Sequence, residues 1–310
     1  MDLPFVSGYA KEQRSREAIE RELDIARRIQ ASFLPGSLPQ PEGWEIASRF
    51  EAAREVAGDF YDAFTLAGGR RTGLVIGDVC DKGVGAALFM ALFRSLIRAF
   101  ADQHFSLGWM DVLTGNALGS ETSNHVTRET HQSASVHRRR ELLSPGTTAL
   151  KKAVVLTNDY IAHNHGQANM FATLFFGVLD PLTGALTYIN GGHEPPMLVG
   201  QSGIKARLAP TGPAVGLFPG VEFGIEQIEL EAGDTLLVFT DGVLDARNSA
   251  DQPFGELKLE RLIQQPAASA EFCLENLLQA LHDHMAGAEQ FDDITLLALR
   301  RNPLPGQDNV

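Results

Sequence analysis

The chain has 310 residues, 44% hydrophobic and 21% charged, which suits one large globular domain, alone or with appendages. Its net charge of −13 and pI of about 5.1 repel polynucleotide, leaving DNA and RNA as poor partners. Acids gathered at one place repel one another and usually persist where a cation neutralises them, so the placement of the aspartates matters more than their total.

Residues 1–10 are expected to be disordered. Residues 11–34 predict a helix with an apolar stripe of Ile19, Leu23, Ala26, Ile29 and Phe33, closed by Pro35. Favourable i,i+4 pairs such as Asp24–Arg28 line its polar side. The stripe either packs on the chain's own domain or forms a short coiled coil that dimerises the protein or joins it to a sensor. The globular part, 40–301, gets under way at Trp44. Thr72–Val79 reads as a buried strand and Val84–Phe100 as an amphipathic helix. Residues 115–148 are polar and without period, which predicts a flexible insertion ahead of a helix near Thr148–His163. Strands follow at Phe171–Leu179, Ala185–Asn190 and Thr235–Thr240, then a helix from an N-cap at Ser269 to Met285, a strand at Ile294–Leu299, and a tail over 302–310. This order lacks the regular alternation of a doubly wound sheet and suits antiparallel sheets with helices outside.

Two distant cysteines, Cys80 and Cys273, make no zinc or disulfide framework and suit a reducing, cytoplasmic setting. No signal-peptide run and no stretch of 18 apolar residues is evident, so no membrane span is expected.

Aspartates recur at strand ends and tight turns. Asp59 and Asp62 lie in Ala57-Gly58-Asp59-Phe60-Tyr61-Asp62, and Asp78 and Asp81 in Gly77-Asp78-Val79-Cys80-Asp81-Lys82-Gly83. Asp241 precedes Gly242 and Asp245, and the doublet Asp292-Asp293 precedes the last strand. A single Asp beside Gly is usually a turn former. Together, however, these short, rigid carboxylates, with no paired His or Cys among them, describe an all-oxygen site for hard cations, Mg²⁺ or Mn²⁺. Two such ions serve hydrolysis by activating water and neutralising phosphoryl oxygens.

The segments Glu55–Asp62, Gly77–Val79 with Gly83–Ala87, Phe171–Leu174, Asn190–Pro196, Phe239–Val243, Phe254–Glu256 and Asp292–Thr295, in this order, resemble the PPM/PP2C phosphatases of the SpoIIE/RsbU branch. The resemblance covers about residues 25 to 300. It implies an α+β fold, a four-layer αββα sandwich with an N-terminal helix, and two Mn²⁺ or Mg²⁺ ions between the sheets. It also implies hydrolysis of phosphoserine or phosphothreonine by an activated water, without a covalent phospho-enzyme. By the same resemblance Asp78 matches the carboxylate that bridges both ions, and the Val79 carbonyl is a further ligand. Asp59 would help hold one ion, Asp241 and Asp292 the other, and Asp293 is the alternative to Asp292 because the doublet leaves the register open by one. Asp62, Asp81, Gly242 and His193 are candidates for a supporting role around the ligands. Cys80 is read as a structural thiol. His193 is read as a turn histidine rather than a general acid. No phosphate-gripping arginine is identified, and Arg54 is read as a surface residue.

The implied partners are a phosphorylated antagonist of an anti-sigma factor, of the STAS type, and an upstream sensor, receiver or activator. The rival readings are a catalytically weak scaffold of the same fold and a binuclear hydrolase acting on another phosphate ester.

Overall fold

The computed structural model describes residues 4–113, 145–265 and 267–303. A long helix, α1 (Pro4–Phe33), precedes three strands, β1 (Trp44–Glu51), β2 (Asp59–Leu66) and β3 (Arg71–Val79). Two helices follow, α2 (Val84–Leu113) and α3 (Pro145–His165). Then come β4 (Ala172–Leu179), β5 (Ala185–Gly191), β6 (Met197–Gly200), β7 (Gly203–Arg207), β8 (Glu226–Glu229) and β9 (Thr235–Phe239). The short helices α4 (Gly242–Asp245) and α5 (Glu256–Leu262), the helix α6 (Ala270–Met285) and β10 (Ile294–Arg301) complete the chain.

The strands form two five-stranded sheets, ordered β1-β10-β9-β6-β7 and β2-β3-β4-β5-β8, with every strand pair antiparallel. Side chains alternate faces along a strand, so each sheet feeds two cores. On β9, Leu236 and Val238 face the other sheet, while Leu237 and Phe239 face α6 and its Leu274, Leu277 and Leu281. On β3, Leu74 and Ile76 face between the sheets and Val75 and Val79 face the α2–α3 layer, with Met90, Phe93 and Val154. Three apolar layers therefore lie between four layers of secondary structure, the αββα sandwich. Gly77 is opposite Phe60, whose ring a Cβ at Gly77 would meet at 2.6 Å, so the glycine lets the ring lie flat on β3.

Three expectations need adjusting. The first helix begins at Pro4, inside the stretch expected to be disordered. The proposed insertion lies outside the described residues over 115–144, but its last four residues, Pro145–Thr148, belong to the first turn of α3. The stretch Val84–Ser106, with mean hydropathy 1.6, is long and apolar enough by composition to cross a membrane. One face of it, with Met90, Phe93, Ile97 and Ala101, is buried against sheet and helix.

Candidate metal centre

Asp59 opens β2 and Asp78 lies near the end of β3, and the antiparallel register sets them directly opposite each other. Both occupy the face turned toward the other sheet. From that sheet, Asp241 follows β9 and Asp292-Asp293 precede β10, at the same end of neighbouring strands. Thr240 and Thr295 hold the two sheets in register here. Their hydroxyls donate to Asp59 Oδ2 over 2.8 and 2.6 Å, so a carboxylate on one sheet is fixed by hydroxyls of the other.

The electrostatics are those of carboxylates crowded in a poorly solvated place. Burial, then the neighbouring Asp78 and Asp293, push the Asp59 carboxyl well above its ordinary value. Asp78 is pushed up to about 7 by burial and by Asp241 and Asp292. Asp241 is raised by burial and by Asp292 and Asp245. A cation removes this penalty, and hard oxygen donors suit Mg²⁺ or Mn²⁺, so the residues present fit the expected ions. Among the described residues no three His, Cys, Asp or Glu side chains stand in ligand geometry. Asp292 Oδ2 is 2.7 Å from Lys82 Nζ, and Lys82 also donates to the Phe291 carbonyl over 2.9 Å.

The doublet divides its work. Asp293 accepts the Ala53 N–H at one carboxylate oxygen and the Gly58 N–H at the other, both at 2.8 Å. It pins the segment that leads into Asp59. Asp292 accepts the Asp293 N–H at one oxygen and faces Lys82 with the other.

The supporting candidates separate in the same way. Asp62, three residues from Asp59, falls on the opposite face of β2, where it is 1% exposed and paired with Arg94 and Arg98 at 3.0 and 2.9 Å. It ties α2 to β2 and does not face the ring. Asp81 is exposed at φ +71° and caps the Lys82 N–H with its own carboxylate. A Cβ on Gly242 would come within 2.0 Å of the Asp293 carbonyl, so glycine is required for the Asp241 turn to pass the doublet. His193 is buried, with Nδ1 2.9 Å from Thr173 Oγ1 and its backbone N–H donated to Asn190 Oδ1. Burial lowers its pKa to about 4, so the ring is neutral at physiological pH and holds no surplus proton to donate. Burial raises the Cys80 thiol, the reverse of what a nucleophile needs. Arg54 is exposed.

The sequence reading gave no role to Thr240, Thr295, Lys82 or Glu194. Glu194 is half-buried and its carboxyl is raised by burial and by nearby Asp241. Each stands within a motif already singled out, but its partner lies on another strand, so spacing alone carries no signal.

Solved structures share this architecture. The PP2C domain of SiaA from Pseudomonas aeruginosa superposes with a TM-score of 0.64, covering 92% of this chain and 98% of that one, at 18% identity. The family description Stage II sporulation protein E (SpoIIE) matches residues 68–302, and the chain belongs to that family. Protein IcfG of Synechocystis is 42% identical over 291 residues, which is 94% of this chain but 43% of IcfG. The phosphoserine phosphatase RsbU of Bacillus subtilis is 24% identical over 92% of this chain and 72% of its own length. The chain thus spans less than half of its 42%-identical relative.

Proposed function

We propose that this chain is a metal-dependent serine/threonine protein phosphatase that works with two Mn²⁺ or Mg²⁺ ions on a phosphorylated signalling protein in the cytoplasm. The observation that carries the reading is the facing pair Asp59 and Asp78 on one sheet, met at the same end by Asp241 and Asp292 from the other. Asp59, Asp78, the Val79 carbonyl, Asp241 and Asp292 would hold the ions, with Asp293 fixing the approach to Asp59. Bound there, the ions supply a hydroxide from water at neutral pH and neutralise the phosphoryl oxygens.

The chain's own residues do the rest. Thr240 and Thr295 aim Asp59 and stabilise its charged form. Lys82, once Asp292 turns to an ion, is a cation at the rim of the site able to meet a phosphoryl oxygen. Neither Cys80, held as a thiol, nor His193, a neutral imidazole, suits covalent catalysis. The leaving alkoxide then takes its proton from water.

The relative named a phosphoserine phosphatase supports phosphoserine as the substrate group. A STAS-type antagonist of an anti-sigma factor is the protein class proposed to carry it, with an upstream sensor or activator in control. Exposed Ile19, Ile25 and Ile29 on α1 support pairing of two chains through this helix.

Phosphate release from phosphorylated STAS-type proteins in Mn²⁺ tests the reading. Asp78→Ala and Asp241→Ala are expected to lower the rate by on the order of 100-fold or more, since each removes a ligand. Undiminished turnover in both variants removes the proposal.

A further inference from the structure

Helix α1 reaches the site through one side chain. Gln30 is buried, while Ile25 and Ile29 on the preceding turn are exposed. Its amide is used at both ends: Nε2 donates to the Ala57 carbonyl over 2.6 Å, and Oε1 accepts the Ala57 N–H over 2.9 Å. Ala57 belongs to the segment 52–58, which lies outside both sheets and has no strand partner for these groups. A buried amide N–H and carbonyl without partners are costly, so Gln30 satisfies both backbone groups of Ala57.

That segment touches the expected ligands directly. Gly58 donates its N–H to Asp293, and Asp59 comes next in the chain. A Cβ on Gly58 would stand 2.9 Å from the Val79 carbonyl oxygen, so the Gly58 backbone lies directly against that carbonyl. Val79 N–H in turn points to the Gly58 carbonyl at 3.4 Å. Two expected ligands, the Asp59 carboxylate and the Val79 carbonyl, are therefore positioned by a strap that is gripped from one side by Asp293 and from the other by Gln30.

We propose that Gln30 is a positioning residue: its double hydrogen bond to Ala57 makes the seating of α1 a condition for the Asp59 and Val79 oxygens to stand in ligating position. This rests on the two-ion reading of the site and adds the residue that seats two of its expected ligands.

The test is calorimetric titration of Mn²⁺ into the full chain. Gln30→Met keeps the length and packing of the side chain and loses both hydrogen bonds. It is expected to bind Mn²⁺ about tenfold more weakly, the equivalent of one net hydrogen bond. Amide exchange over 52–59 is expected to rise while exchange in β4 stays at the wild-type level. Leu281→Ala, placed in the remote α6 layer, serves as the control for general destabilisation. It is expected to lower the melting temperature and leave Mn²⁺ affinity unchanged. If wild type binds Mn²⁺ in an Asp78-dependent manner and Gln30→Met binds it equally well, the clamp is refuted and the site reading stands. If wild type shows no Asp78-dependent binding, the site reading itself falls and takes the clamp with it.

Discussion

Asp78 shows what burial does to a carboxyl of the proposed cation site. Its carboxyl, pushed up to about 7, must lose a proton as an ion binds. Mn²⁺ affinity is therefore expected to weaken as pH falls below 7, by up to about tenfold per pH unit. Titrations at pH 6.5 in buffers of different ionisation enthalpy should also reveal released protons. A constant affinity from pH 6 to 8 contradicts this. His193 works in the opposite sense. Its folded pKa of about 4 lies below the ordinary 6.5, so the unfolded chain takes up a proton first. The stability contributed by the neutral, buried ring is complete above pH 6.5 and is lost as pH falls toward 4, by up to about 3 kcal/mol. Denaturant melts at pH 7 and 4.5 are expected to differ less in His193→Gln than in wild type. At this scale the aspartates were legible because glycine neighbours and strand ends mark them. The division between Asp292 and Asp293 was not, because it depends on which backbone N–H groups of residues 53 and 58 arrive beside them.

Among elements, β2 shows why some strands are visible in a sequence and others are not. Asp62 interrupts its apolar alternation at a buried position and hides the strand. The chain solves the problem with a charge pair from α2: Arg94 is 12% exposed and Arg98 45%, both held on the Asp62 carboxylate. Removing the acid leaves Arg94 buried without its counter-charge, so Asp62→Asn is expected to cost about 3–5 kcal/mol in a urea melt. Arg98→Ala, at the wetter end, is expected to cost under about 1 kcal/mol. Equal losses in the two variants contradict this account. β3, β9 and β10 were plain in the sequence as continuous apolar runs, since each is buried on both faces. β7 and β8 were missed because they are edge strands with exposed, charged residues. β1 was missed because its second half is only half-buried.

Across the whole molecule, antiparallel sheets with helices outside were readable from the order of strands and helices, and the four layers only through the family resemblance; the pairing of strands was not readable, since sequence order says little about which edge each strand takes. The expected ligands are drawn from both sheets, so cations bound there brace the sandwich as one body. At 100 times its dissociation constant, Mn²⁺ is expected to add about 2.7 kcal/mol to global stability. Asp78→Asn should lose most of that gain, and a melt that Mn²⁺ leaves unmoved in wild type argues against ligands shared between sheets. The pairing of β1 with β10 runs from Trp44–Arg301 to Glu51–Ile294. A nascent polypeptide therefore holds β1 without this partner until residues 294–301 have been made, and Asp292 arrives only just ahead of that strand. A ribosome that stalls before this point leaves the β1 edge open to pairing with another chain and lacks an aspartate of the proposed site.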